Sequence, residues 1–303
     1  MSSGVAASVQ ARLLSRAKAE REEFERMLVR YADERFLYRL GLSPVRERCI
    51  LKGASLLALW LGDPYRATRD VDLLAFGPSN DEAIRAIIQE ICAVPCPEDG
   101  LRFDLDTLRM ADIGGADEYL GTRARLVALL GSARIAVQID FGFGDALVEG
   151  PEEIEYPTLL DSLPAPRLRA YSRDASMAEK FEAMVSLDVR NSRMKDFHDV
   201  WALSNVFRFD GPSLQAAVAA CFERRRTPWP AALPGVLTPA FYRAPEMESR
   251  WRRYLAAGGI LVRPPNQFEA IGERISQLFG PIRECILVGA LLNRTWEAGG
   301  PWR

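Results

Sequence analysis

A single histidine, His198, serves a chain of 303 residues. Histidine-rich metal centres are therefore excluded. A Ser-His-Asp triad would have to run through that one imidazole, and no Gly-x-Ser-x-Gly elbow accompanies it. Cysteine is scarce and scattered: Cys49, Cys92, Cys96, Cys221 and Cys285 form an odd set. Cys92 and Cys96 share a helical face, but nothing pairs with them at zinc-site spacing, so free, mostly buried thiols in a reducing compartment are expected. No apolar run approaches the roughly 20 residues of a membrane span. The N-terminal segment, with Arg12, Arg16 and Lys18, lacks the apolar core of a signal peptide. The expected location is the cytoplasm, with no membrane partner. Strong charge of one sign is also missing: the net charge is −2, so the chain as a whole is no polyelectrolyte binder.

What is present suits a globular protein: 48% hydrophobic and 26% charged residues, and enough length for one large domain or two moderate ones. Apolar residues at three- and four-residue spacings predict a helix over 8–40. Strands are expected at 48–52 and 70–76, with a helix at 54–62 between them. Asn80 or Ser79 caps a helix from Asp81 to Cys92. Residues 103–106, 123–130 and 135–141 read as strands, and Gly131-Ser132 is the turn between the last two. The proline-rich stretch 151–169 predicts a linker or extended crossover. From Ser176 the chain turns helical, with 228–245 a loop and helices at 246–257 and 267–279. The expected division is a mixed α/β domain over 1–170 and a helical domain over 171–303.

The chemistry concentrates where Lys52-Gly53-Ala54-Ser55 is followed, fifteen residues after Ser55, by Asp70-Val71-Asp72. On a strand, residues i and i+2 share a face, so Asp70 and Asp72 point the same way and can share a divalent cation. Mg²⁺ prefers such hard oxygen ligands together with substrate phosphates. Gly53 and Ser55, at a helix start, let a phosphate approach backbone N–H groups. This combination predicts nucleotidyl transfer from an NTP. Asp140, in Ile139-Asp140-Phe141-Gly142, is the candidate third metal carboxylate, with Asp145 and Asp104 as weaker rivals and a salt-bridge role for Asp140 as the plainer alternative. The plainer alternative is that Arg66 and Arg69 neutralise Asp70 and Asp72 structurally.

Lys180, in Met177-Ala178-Glu179-Lys180, lies at the edge of an apolar stripe, where a lysine can neutralise a triphosphate; a solvated helix lysine is the ordinary alternative. In Arg190–Asp199, Asn191 or Ser192 caps a helix, Lys195 and Asp199 are a neighbouring pair, and Asp196 shares a face with Asp199. His198 reads as a structural hydrogen bonder. The last third carries Arg224-Arg225-Arg226, Arg243, Arg250, Arg252 and Arg253 among Trp229, Tyr242, Trp251 and Tyr254. Such a mixture either holds an RNA backbone and stacks bases, or is a solvated arginine face with aromatics turned inward.

Four segments in order, Lys52-Gly53-Ala54-Ser55, Arg66-Ala67-Thr68-Arg69-Asp70-Val71-Asp72, Ala178-Glu179-Lys180 and Arg193-Met194-Lys195-Asp196-Phe197-His198-Asp199, resemble the motifs of the AbiEii/AbiGii-type nucleotidyltransferase toxins, including the MenT group. The resemblance covers residues 45–256 and extends to Leu237-Thr238-Pro239-Ala240-Phe241. It implies an α+β fold: a polymerase β-like mixed sheet with flanking helices, then a mainly helical C-terminal domain. It further implies Mg²⁺-dependent transfer of a nucleoside monophosphate to RNA, in MenT-like members the tRNA 3′ end, and a cognate antitoxin. Carried over, Gly53, Ser55, Arg66 and Thr68 would bind the nucleotide, and Asp70 and Asp72 the metal. Lys180 would contact phosphate, and Asp196 would be a further active-site acid. Thr68 falls where some members have a serine that an antitoxin kinase modifies. Ala54 departs from the family's second glycine, which bears on base preference. Two other readings stand beside this one: a small-molecule nucleotidyltransferase of the antibiotic-modifying sort, and a catalytically silent nucleotide- or partner-binding module.

Overall fold

A computed structural model describes residues 3–62, 70–113, 121–144, 148, 150–257 and 262–303. Two compact units account for them. The first comprises Pro151–Ala170 and most of the chain before Gly144, and the second is centred on Tyr171–Arg303.

In the first unit, α1 (Ser3–Glu20) and α2 (Phe24–Leu42) precede β1 (Cys49–Lys52), α3 (Ala54–Leu61), β2 (Val71–Ala75) and α4 (Asp81–Cys92). The long strands β3 (Leu101–Ile113), β4 (Gly121–Leu130) and β5 (Ala133–Phe143) follow, then β6 (Glu152–Glu155) and β7 (Arg167–Ala170). They form one seven-stranded mixed sheet in the order β3-β4-β5-β2-β1-β7-β6. β2 runs parallel to β5 and β1 parallel to β7, while the other neighbours are antiparallel. The core is visible in the periodicities. On α4, Ile84, Ile87, Ile88 and Ile91 form a buried stripe at helical spacing, and Asn80 caps the helix by accepting from the Ala83 N–H at 2.9 Å. On β4 and β5 burial alternates residue by residue, with Ala124, Leu126, Ile139 and Phe141 on the buried side. Behind them Arg39 grips Asp99 with two hydrogen bonds of 2.6 and 3.1 Å, and both side chains are buried.

Two sequence expectations are refined in this unit. The helix over 8–40 is broken: Arg21 takes a left-handed conformation, φ 55°, and α2 starts afresh at Phe24. The apolar spacing simply continues across the break, which hid it. The stretch 151–169, expected as a linker or extended crossover, contains β6 and leads into β7, which pair as a hairpin. Its outer strand carries Glu152, Glu153 and Glu155, and the register sets Glu153 against Arg169 and Glu155 against Arg167. A charged edge strand has no hydrophobic alternation to read, and it protects the sheet from further pairing.

The second unit contains α5 (Arg173–Leu187), α6 (Met194–Val206), β8 (Phe209–Asp210), α7 (Gly211–Arg225), α8 (Pro239–Tyr242), α9 (Pro245–Ala256), α10 (Phe268–Val288) and β9 (Thr295–Trp296). α5 packs on α7, and α10 runs across α6, α8 and α9. Phe181 stacks on Phe279 at 4.0 Å and Phe222 on Trp229 at 3.9 Å. α10 continues through Pro281, beyond the expected end at 279. No helix among the described residues is long and apolar enough to cross a membrane.

Candidate active site

The site begins with strand register. β2 pairs with β5 so that Asp72 lies opposite Asp140, and with β1 so that Asp72 lies opposite Lys52. Because Val71, Leu73, Ile139 and Phe141 are buried, strand alternation turns Asp72 and Asp140 to the other side. Asp70, two positions before Asp72, joins them. Carboxylate oxygens of Asp70, Asp72 and Asp140 lie within 4.8 Å of one another. That span is little more than the roughly 4 Å separating opposite ligands of an octahedral Mg²⁺. Of the two rivals for the third position, Asp104 lies on β3 opposite Val127, outside this cluster. Asp145 falls outside the described residues, as do Arg66, Arg69 and Thr68.

Arg123 on β4 is the cross-strand partner of Asp140 and holds its carboxylate with a two-pronged contact. Nε reaches Oδ1 at 2.8 Å and Nη2 reaches Oδ2 at 2.6 Å. Sequence reading passed over Arg123, yet the signal was present. A two-residue turn at Gly131-Ser132 joins Leu130 to Ala133, and counting back along both strands brings Arg123 opposite Asp140. Gly131 supplies the positive φ, 57°, that tight hairpin turns favour.

Gly53 has φ 72°, and a Cβ placed on it would stand 2.0 Å from Asp72 Oδ2. The Asp72 carboxylate thus fills the space that any other residue at position 53 would need. The cradle expected for a phosphate also seats a member of the acidic cluster. Ser55 is buried and hydrogen-bonds the Tyr156 hydroxyl, which follows β6. Burial, then the charge of Asp33, pushes the Tyr156 phenol up to about 12. Asp33, on α2, has an Oδ1 sealed from solvent with no hydrogen-bond partner among the described residues. Burial first and the Asp70 charge second hold its carboxyl well above the usual range. Neither residue is signalled by sequence, because each reaches Ser55 or Asp70 through tertiary packing alone.

In the second unit, Lys180 Nζ bridges Asp196 Oδ1 at 3.0 Å and Asp199 Oδ2 at 2.7 Å, and Arg193 Nε stands 2.6 Å from Asp196 Oδ2. Lys180 is therefore no solvated helix lysine. The expected Lys195–Asp199 pair is corrected: Asp199 is buried and bonded to Lys180, while Lys195 is exposed. The cap position of α6 is Arg193, and Asn191 accepts from the Arg193 N–H at 2.8 Å. His198 is buried, with its ring nitrogens 2.8 Å from the Tyr254 hydroxyl and 3.0 Å from the Val262 carbonyl oxygen, as expected of a structural hydrogen bonder.

The reading of stacked bases in the last third fails. Trp251 and Tyr242 are buried, Trp229 stacks on Phe222, and Tyr254 is bonded to His198. Much of the arginine charge is answered internally: Arg225 by Glu179 and Glu182, Arg243 by Glu269, and Arg252 by Glu248.

A family model described as the nucleotidyl transferase AbiEii toxin of a type IV toxin–antitoxin system matches residues 35–274. The chain belongs to the AbiEii nucleotidyltransferase toxin family. The match spans both units and includes the acidic cluster, Gly53, Ser55, Lys180 and Asp196. The AbiEii chain also shows similarity to the crystal structure of JHP933 from Helicobacter pylori, at 13% identity and TM-score 0.47, covering 84% of this chain and 90% of that one. A second H. pylori structure, described as a candidate nucleotidyltransferase, gives the same identity and TM-score and is covered over 92% of its length. No curated protein matches. The AbiEii family assignment makes this protein a nucleotidyltransferase, an enzyme of the toxin–antitoxin class with an NTP as its donor and an antitoxin as its counterpart.

Proposed function

We propose that this protein is an Mg²⁺-dependent ribonucleotidyltransferase that attaches a nucleoside monophosphate to RNA, at the 3′ end of tRNA. The observation that carries the reading is the meeting of Asp70, Asp72 and Asp140 across β2 and β5 in a chain of this family. The donor set fits a hard dication: it is all oxygen, all carboxylate and compact, and Gly53 leaves it the room it needs. When bound there, Mg²⁺ supplies charge neutralisation for the NTP phosphates and the acceptor hydroxyl. The protein's own share is positioning and charge.

Gly53, Ser55 and the start of α3 would seat the phosphates, and the family resemblance adds Arg66 and Thr68 as further nucleotide-binding residues. Tyr156 holds the Ser55 hydroxyl from behind. Lys180 would neutralise phosphate, and Asp196 would keep that lysine in place through the 3.0 Å contact. The acceptor oxygen attacks the α-phosphorus and pyrophosphate leaves, its charge answered by cationic groups. The unit before Tyr171 is assigned the nucleotidyl-transfer chemistry and the unit after it a supporting role. The toxin acts on tRNA in the cytoplasm, as MenT-like relatives do.

Incubation with each α-³²P-labelled NTP, Mg²⁺ and total tRNA tests this, with Asp72→Ala as the control. A labelled tRNA band that vanishes in the variant is the expected result and names the base. Pyrophosphate release dependent on Asp72 but giving no labelled RNA would overturn the RNA acceptor while keeping the chemistry.

A further inference from the structure

The carboxylate cluster already contains a cation, and it belongs to the protein. Three acids within 4.8 Å repel one another, and Arg123 answers them from the neighbouring strand. Its planar fork engages both oxygens of Asp140, which leaves that carboxylate no freedom to swing about its Cβ–Cγ bond. A carboxylate has about four lone-pair sites, so the two taken by Arg123 leave others for a metal.

We propose that Arg123 is a resident counter-ion and positioning residue of the metal site: it fixes Asp140 for catalysis while its charge weakens the hold of the cluster on divalent cations. The two roles have opposite signs. Removing the charge strengthens metal binding, because repulsion between a guanidinium and a dication a few ångström apart outweighs the freedom regained by one carboxylate. Removing the fork weakens turnover, because Asp140 is then held loosely.

This inference rests on the reading of Asp70, Asp72 and Asp140 as a cation site, and the experiment separates the two. Mn²⁺ binding to the full chain without nucleotide is measured by calorimetry for wild type, Asp72→Asn, Arg123→Gln and Arg123→Lys. Pyrophosphate release with NTP and tRNA is followed alongside. Arg123→Gln is expected to bind Mn²⁺ about tenfold more tightly, about 1.4 kcal/mol. Arg123→Lys keeps the charge without the fork and stays within about threefold of wild type. Both lose about ten- to a hundredfold in kcat, with the KM for NTP little changed. Unchanged or weaker Mn²⁺ binding by Arg123→Gln overturns the counter-ion role, and wild-type kcat in Arg123→Lys overturns the positioning role. If wild type binds Mn²⁺ no better than Asp72→Asn, the metal-site reading falls and takes this inference with it. Melting curves accompany every variant; should Arg123→Gln fail to fold, Arg123→Met carries the same charge test.

Discussion

At Gly53, one hydrogen atom in place of a methyl group keeps Asp72 where it is. Gly53→Ala must hold φ 72° and push a Cβ to within 2.0 Å of Asp72 Oδ2. The backbone cost alone is about 1–2 kcal/mol. The expected outcome is a lowered melting temperature together with loss of transfer, whereas Asp72→Ala loses at least two orders of magnitude in kcat with its melting temperature held or raised. Labelled NTP transfer and a thermal melt on the same preparations separate the two. Raised stability is reasonable for Asp72→Ala because it relieves repulsion within the acidic cluster. Behind the helix start, Tyr156→Phe removes the hydroxyl partner of Ser55. It is expected to raise the KM for NTP several-fold, corresponding to about 1 kcal/mol for one buried hydrogen bond. The same substitution in a Ser55→Ala background should then change nothing further.

Among the elements, α4 shows what sequence conveys well. Its four buried isoleucines and its Asn80 cap are local signals, and Asn80→Ala should cost about 1 kcal/mol in denaturant unfolding, with transfer activity intact. The strands bearing Asp72 and Asp140 were legible for the same reason, since alternation and turn residues lie within a few positions of each other. What could not be read locally is what tertiary contact alone decides. In the β6–β7 hairpin the outer strand β6 is charged and carries no apolar rhythm, and β7 offers only Leu168 and Ala170 to read. The break at Arg21 interrupts α1 and α2 without interrupting their apolar spacing. The acidic cluster was half visible: Asp70 and Asp72 through their spacing, Asp140 as a candidate. Asp33 and Tyr156 approach from α2 and from beyond β6, with no motif of their own. Asp199 was visible but given the wrong partner, because the helical neighbour Lys195 is exposed and the true partner, Lys180, lies on another helix.

For the whole molecule, proton and metal linkage give two measurable consequences. The folded Asp33 carboxyl keeps its proton over a pH range in which the unfolded one has lost it. The folded state therefore binds more protons there, and this group's contribution to stability falls as pH rises above the ordinary aspartate range of about 4. Asp33→Asn should melt higher than wild type at pH 8 in the presence of chelator, with the difference closing toward pH 4. Saturating Mg²⁺ should raise the melting temperature of wild type, by about 2.7 kcal/mol of stability at a hundred times Kd. An Asp70→Asn, Asp72→Asn double variant should gain nothing from it. The sheet order has one more consequence, which concerns synthesis. β2 sits between β1 and β5, and β1 sits between β2 and β7, so the middle of the sheet is flanked by strands made much later. At about 5–20 residues per second, the ribosome delivers Asp140 some seconds after Asp72, and β7 later again. A nascent or truncated chain ending before β5 carries two of the three acids and lacks the strand that sets Asp140 beside them. On the proposed reading of the acidic cluster, each growing copy of this toxin is inactive until most of its first unit has left the ribosome, an interval in which the antitoxin can already be present.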